Sequence, residues 1–121
     1  MQSAYDRIQY YEFEEKEKTA TIAKLKALLA AEKRVKLAVL FGSLTRRNFV
    51  RDIDVCVYAT PALRFRELLN LNAQIELELG VPVDLVELST LPSSLKVSIL
   101  RSGILIKGTK ALQHQLLKRM L

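Results

Sequence analysis

Residues 39–58 read VLFGSLTRRNFVRDIDVCVY and consist of two apolar runs joined by a polar loop. The first run ends in Gly42 and Ser43, three arginines follow in the loop, and Asp52 and Asp54 stand at the start of the second run. Aspartate is unfavourable in strands and costly as a buried charge. Two carboxylates at the start of a buried strand therefore indicate a chemical role.

Apolar runs and helical patterns alternate on either side of this stretch. Short apolar runs predict four buried strands, at 35–41, 53–59, 83–88 and 104–107. Residues 4–34 contain no glycine or proline and many Ala, Leu, Glu and Lys residues, which predicts a helix. Helical spacing, with proline at the start and glycine after the end, predicts helices over 61–79 and 92–102, and Thr109 can cap a last one. The order predicts one α/β domain of 121 residues, with an N-terminal helical arm (1–34), a core (35–108) and a C-terminal helix (109–121).

The first helical segment is too long to remain straight inside a domain of this size. At 1.5 Å per residue, an unbroken helix over 4–34 would span about 46 Å. A compact domain of this length is roughly 35 Å across. We expect the helix either to break near EFEEKEK (12–18) or to project as an arm that binds a partner.

Composition excludes several classes of protein. Half of the residues are hydrophobic and 26% are charged, as in soluble globular proteins. No apolar run approaches the roughly 20 residues of a membrane span, and the first residues lack the apolar core of a signal peptide. A single cysteine, Cys56, suits a reducing compartment. We therefore expect a cytoplasmic protein without membrane contact.

The net positive charge is concentrated in the last part of the chain. The net charge is +6, and residues 88–121 contain six basic and no acidic side chains. Such a segment could attract a nucleotide, nucleic acid or an acidic protein. A solvated helix surface is an equally simple interpretation.

The aspartates have the spacing of a metal site. In a strand, Asp52, Asp54 and Cys56 share one face, and the two carboxylates lie about 6.6 Å apart along the chain. Like charges this close repel unless a cation lies between them, and carboxylate oxygens favour one or two Mg²⁺ ions. Asp84 begins another predicted strand and would join them if the strands pair. Three carboxylates around two metals form a phosphoryl-transfer site.

The Gly-Ser turn suits phosphate binding. Gly42 lets another group approach the backbone closely, and the N–H groups and hydroxyl at Ser43 can bind phosphate oxygens. Arg46, Arg47 and Arg51 add positive charge nearby, and a guanidinium fork matches phosphate geometry.

The segments LFGSLTRR, RDIDVCVY and VPVDLVEL resemble the minimal nucleotidyltransferases (MNT) of the DNA polymerase β-like superfamily, over roughly 36–108. The resemblance implies that superfamily's α/β (α+β) fold, a small mixed sheet flanked by helices. It implies nucleotide binding by Gly42, Ser43 and Arg46. It further implies metal binding by Asp52 and Asp54, with Asp84 as the third carboxylate that completes the metal shell and helps activate the acceptor hydroxyl.

The resemblance also implies a function. It is that of a Mg²⁺-dependent nucleotidyltransferase, most plausibly moving AMP from ATP, or a nucleotide from another triphosphate, to an acceptor hydroxyl. Little chain remains for a substrate domain, so we expect the acceptor on a partner protein. MNT proteins are commonly paired with a HEPN toxin, as its antitoxin, and act by AMP transfer to a toxin tyrosine or by binding. The toxin's Arg-x4-6-His motif is absent here, which fits the antitoxin half of a homo- or hetero-oligomer.

Two alternatives remain open at this point. Many family members have glycine where this chain has Arg47 and serine where it has Arg51, and the loop before Asp52 is short. These departures favour a catalytically weak module that neutralises its partner by binding. The basic C-terminal third favours, more weakly, nucleic-acid binding.

Overall fold

The computed structural model describes residues 10–121. Within them, apolar runs form strands and the segments between them form helices. The helices are α1 (Glu15–Ala30), α2 (Phe65–Leu79), α3 (Ser93–Ser102) and α4 (Lys110–Met120). The strands are β1 (Tyr11–Glu12), β2 (Val35–Phe41), β3 (Phe49–Val50), β4 (Ile53–Ala59), β5 (Val83–Glu87) and β6 (Ile104–Lys107).

Four strands form a mixed sheet in the order β5-β4-β2-β6. Strand β2 is antiparallel to both of its neighbours, whereas β4 and β5 are parallel. Parallel strands require a crossover, and α2 supplies it. The predicted α/β class, with a small mixed sheet flanked by helices, is confirmed.

Helices cover both faces of this sheet. Side chains alternate along the strands, so apolar residues point to both faces and pack against helices on each. Ile53, Val55 and Val57 of β4 pack in one core cluster, with residues of α1 and α2. Cys56, on the opposite face, packs in a second cluster with residues of α3 and α4. The alternation predicted for β4 is therefore present.

The N-terminal helix is shorter than predicted. Helix α1 begins at Glu15, and the Glu14 N–H donates to Glu17 Oε1 at 3.1 Å, which satisfies a free donor at the helix start. Tyr11 and Glu12 form a strand instead, paired with Val50 and Phe49. Among the described residues, the prediction of helix over 4–34 is thus wrong for 10–14 and for 31–34, because α1 extends only over Glu15–Ala30. Residues 4–9 lie outside the described residues. A helix start within 12–18 agrees with the predicted break there.

The remaining elements agree closely with their predicted bounds. Helix α2 begins at Phe65 rather than at Pro61, and it ends at Gly80 in the left-handed conformation. Thr109 caps α4, accepting a hydrogen bond from Leu112 N at 3.1 Å. No helix within residues 10–121 combines the length and the apolar character that a membrane crossing needs.

Candidate active site

Gly42 ends β2 in a conformation that only glycine adopts readily. Its φ is +78° and its ψ is −151°, a region that side chains exclude. A Cβ atom here would overlap the Asp54 carboxylate and lie 3.1 Å from its Cγ. The absence of a side chain at Gly42 therefore leaves the room that Asp54 occupies.

A short 3₁₀ turn, Ser43–Thr45, follows Gly42. The Thr45 hydroxyl donates to Gly42 O at 2.6 Å, and the Arg47 N–H donates to Ser43 O at 2.7 Å. Leu44 is buried and anchors the turn against the core. These contacts fix the carbonyl groups of Gly42 and Ser43 inside the turn. Ser43 itself stays half-exposed.

Asp54 and Asp84 lie side by side across β4 and β5, which pair in parallel register at these residues. Adjacent strands lie about 4.8 Å apart. The pairing is secured at its start by Ile53 N, which donates to Pro82 O at 2.9 Å. Asp52 lies just before β4, in a bend. The sheet thus brings together carboxylates that are 30 positions apart in the sequence.

The ionisation of Asp54 reflects these neighbours. The carboxylate is half-buried, whereas Asp52 and Asp84 are exposed. Burial, followed by the negative charges of Asp52 and Asp84, raises the pKa of Asp54 to about 6. A desolvated carboxylate flanked by two others is a position that a cation would stabilise.

The donor set fits a hard divalent cation in the kind of ligand that it offers. Carboxylate oxygens are the ligands of Mg²⁺, and mutual repulsion at Asp54 is the electrostatic condition that such an ion relieves. Within residues 10–121, however, no group of three or more His, Cys, Asp or Glu side chains converges closely enough to hold a metal ion. The side chains of the three aspartates would have to rotate before they could bind the same metal ion.

A two-stranded ribbon braces the loop between the turn and Asp52. Strand β3 pairs with β1, and Phe13 N donates to Asn48 O at 2.7 Å. Val50 is buried on the core side, while Phe49 remains 57% exposed. The sequence prediction missed both strands, and the apolar-polar alternation on each side, YEF and NFV, was the only signal for them.

The arginines of the loop are all exposed. Arg46 and Gly42 line a cavity of about 570 Å³ that extends toward α3. Arg47 and Arg51 are not among its lining residues. Of the three arginines, Arg46 is the one that the structure places beside Gly42.

Two other reactive side chains are outside this site. Cys56 is buried, and burial, followed by the charge of Glu87, raises the pKa of its thiol to about 12. A protonated thiol packed in the core is not a nucleophile at neutral pH. His114 is exposed on α4.

This geometry agrees with a match at the level of protein families. Residues 23–111 match the family model described as Polymerase beta, Nucleotidyltransferase. Because the match covers most of the chain, the protein belongs to the polymerase β nucleotidyltransferase family.

Solved structures with a similar fold include proteins of toxin–antitoxin systems. A toxin–antitoxin structure with AMP-PNP is 25% identical over 82% of each chain, with a TM-score of 0.74. A Shewanella oneidensis structure contains a tri-AMPylated HEPN toxin in complex with an MNT antitoxin. It is 24% identical, covering 85% of this chain and 82% of that chain, with a TM-score of 0.72. The toxin–antitoxin MntA-HepT is 23% identical, covering 84% and 82%, with a TM-score of 0.70. At identities below 25%, the S. oneidensis and MntA-HepT structures show only that the fold is shared. A search of curated proteins found no match.

Replacing Gly42 by alanine tests the contact with Asp54. Gly42→Ala introduces both backbone strain and a collision with the carboxylate, so we expect it to lower the free energy of unfolding by about 1–3 kcal/mol more than Gly80→Ala does. Gly80 is a suitable control because it also has a positive φ, +72°, but no atom within 4 Å of its Cβ position. Urea unfolding measures the loss of free energy of unfolding in each variant. Equal losses in the two variants would contradict a contact between Gly42 and Asp54.

The pH dependence of stability tests the environment of Asp54. Its folded pKa of about 6 lies above the unfolded value of 3.8. Ionisation therefore costs the folded state stability as pH rises from about 4 to about 6, and the cost persists above pH 6. In EDTA at pH 7.5, the free energy of unfolding of Asp54→Asn should be higher than that of the parent by about 1 kcal/mol, a value that allows for the partial exposure of the carboxylate. At pH 4 the difference should be much smaller.

Glu78 is exposed, so Glu78→Gln is the control, and its free energy of unfolding should equal that of the parent at both pH values. Addition of Mg²⁺ at pH 7.5 should narrow the gap between the parent and Asp54→Asn. A gap that does not change between pH 4 and pH 7.5 would show that Asp54 is not desolvated.

Proposed function

We propose that this protein is a Mg²⁺-dependent nucleotidyltransferase that transfers AMP from ATP to a hydroxyl group on a partner protein. The observation that carries the proposal is that Asp54 lies against Gly42 and is paired with Asp84 across β4 and β5. The sheet thereby brings acidic residues that are far apart in sequence close to the turn that we propose binds phosphate. The family match supports this general class of reaction.

Each residue has a distinct role in the proposed reaction. The N–H groups and hydroxyl at Ser43, reached over Gly42, bind the β- and γ-phosphates together with Arg46. Asp52 and Asp54 hold Mg²⁺, with Asp84 completing the shell. When bound, one or two Mg²⁺ ions neutralise charge on the phosphates and orient them.

In the proposed reaction, Asp84 accepts the proton of the acceptor hydroxyl. It is exposed, beside Asp54, and reachable from outside the domain. The acceptor oxygen attacks the α-phosphorus while its proton passes to the Asp84 carboxylate. The bond between the α-phosphorus and its bridging oxygen breaks, and pyrophosphate leaves. Arg46 and the turn at Gly42-Ser43 bind the departing pyrophosphate.

The acceptor is proposed to be a hydroxyl of a HEPN-type toxin, and the protein its antitoxin in the cytoplasm. Within residues 10–121, the chain provides helices around a four-stranded sheet, a short two-stranded ribbon and no separate substrate domain. The relative bound to AMP-PNP is a toxin–antitoxin structure, and the tri-AMPylated HEPN toxin of the S. oneidensis structure is in complex with an MNT antitoxin. These relatives support both the nucleotide and the partner.

One observation favours a second function, in which the protein neutralises its partner by binding alone. The three aspartates do not converge on a metal position within the described residues. A complex of two proteins without nucleotide transfer would need none of the three carboxylates.

A transfer assay separates the two functions. With Mg²⁺, labelled ATP and the HEPN-type protein from the neighbouring gene, the parent should label its partner, and Asp52→Ala/Asp54→Ala should reduce the rate by at least about 10³-fold. Glu78→Ala, which removes an exposed carboxylate from α2, should retain the parent rate.

Binding of the partner is measured alongside by isothermal titration calorimetry. The proposal fails if the partner never acquires label while the double aspartate variant still binds and neutralises it. Binding to RNA or DNA that weakens steeply with salt would instead favour the nucleic-acid alternative.

A further inference from the structure

Helix α2 has apolar side chains on two different sides. Leu71 and Ile75 are buried in the core, and Leu68 and Leu79 pack beside them. These four residues attach the helix to the sheet. A second apolar series, on the outer side of the helix, takes no part in this packing.

The second series forms a stripe in which successive residues are four positions apart. Its members, which we call the outer stripe, are Phe65, Leu69, Ala73 and Leu77. Residues four apart are neighbours on a helix surface and form a continuous ridge. All four are exposed, and the exposed fractions of Phe65, Leu69 and Leu77 are 75%, 52% and 84%. A contiguous apolar ridge in solvent indicates an interaction surface.

The charges at the two ends of α2 are opposite to those that a single helix favours. The start of a helix has a partial positive charge and favours acidic side chains, whereas its end favours basic ones. Arg64 and Arg66, both exposed, lie at the start of α2. Glu67, in the first turn, is already paired with Arg34 of the same chain. The last turn includes Glu76 and no basic residue. This arrangement does not stabilise an isolated helix.

A second copy of α2 in antiparallel orientation explains both features. Two identical surfaces pack about a two-fold axis, and in an antiparallel pair the start of each helix lies beside the end of the other. The basic start then lies near the acidic end of the second copy, and the two helix dipoles run in opposite directions. Phe65 of one copy lies toward Leu77 of the other. Ala73, a small residue near the middle of the outer stripe, allows the two helices to approach closely.

The outer stripe and the candidate active site belong to opposite faces of the sheet. Helix α2 packs on the face of β4 that presents Ile53 and Val55. Asp54 lies on the other face, which it shares with Cys56 and which α3 and α4 cover. A second copy that binds to α2 therefore leaves both active sites open.

We propose that the outer stripe is a dimerisation surface, which pairs in antiparallel orientation with the outer stripe of a second copy of this chain. It contains no residue of the candidate active site, so the dimer does not depend on the proposed function. A helix of 15 residues is about 22 Å long and about 10 Å wide, which is smaller than the roughly 800 Å² per partner of a standard interface. We therefore expect a reversible dimer with a dissociation constant on the order of micromolar.

Sedimentation velocity with the full chain tests the dimer. Between about 1 and 200 µM, the mass should rise from the 13.7 kDa of one chain toward twice that value. Leu69→Glu/Leu77→Glu places two carboxylates from each copy in the paired surface, so the dissociation constant should increase at least about 100-fold. Leu121→Glu is the matched control. Leu121 is 76% exposed and follows α4, on the other face of the sheet, so this variant should dimerise like the parent.

Cross-linking tests the antiparallel orientation. Phe65→Cys and Leu77→Cys are purified separately and treated with a short bis-maleimide, each alone and as an equal mixture. Cys56 is buried and its thiol is protonated, so it should not react. The mixture should give several-fold more cross-linked dimer than either variant alone, because only the mixed dimer places the two new thiols beside each other. Equal cross-linking of each variant alone and of the mixture would contradict the antiparallel pair.

Three results decide the proposal. A chain that stays monomeric over the whole concentration range, or a dimer that Leu69→Glu/Leu77→Glu does not weaken, overturns it. If the chain is monomeric and this double variant loses its binding to the HEPN-type protein, the outer stripe binds that protein instead of a second copy. The double variant should keep the parent's rate in the transfer assay, so loss of labelling in the parent would overturn the proposed function and leave the dimer intact. Circular dichroism and urea unfolding confirm that each variant is folded.

Discussion

The placement of the Asp54 carboxylate against the backbone of Gly42 is the constraint on which the site depends. A half-buried charge beside Asp84 costs free energy, as its raised pKa shows. The chain accommodates this carboxylate by omitting a side chain at Gly42 and by giving that residue a backbone conformation that other residues avoid. Such a combination has no advantage for packing. It is explained if the carboxylate binds a cation and the adjacent turn binds phosphate.

The sheet brings residues of three strands together at this site. Strand β2 delivers the turn, β4 delivers Asp54, and the parallel neighbour β5 delivers Asp84. Helix α3 then closes the opposite side, because Gly103 allows its end to contact β2. The turn after β2, the carboxylate of Asp54 and the end of α3 are therefore all positioned by contacts with β2 or with the residue that follows it.

Much of this arrangement follows from the sequence because it is local. Continuous apolar runs identify β2, β4 and β5, and the Gly-Ser pair with two aspartates identifies the turn and the carboxylates. Strands β1 and β3 have only two residues each, which is too short for periodicity to be visible, so YEF was predicted as helix. The register that places Asp54 beside Asp84 and the cavity beneath α3 depend on tertiary contacts. Ser98 and Ser102 resemble ordinary solvated helix residues until the fold places them opposite Gly42.

The central claim is that one nucleotide and its metal bind where Gly42, Asp52 and Asp54 meet. A crystal structure of the protein with Mn²⁺ and a non-hydrolysable ATP analogue, using anomalous scattering to locate the metal, tests it most directly. We expect an anomalous peak within about 2.3 Å of carboxylate oxygens of Asp52 and Asp54, with the triphosphate on the turn at Ser43. Mn²⁺ bound by none of the three aspartates, or a triphosphate bound away from this turn, would contradict the account.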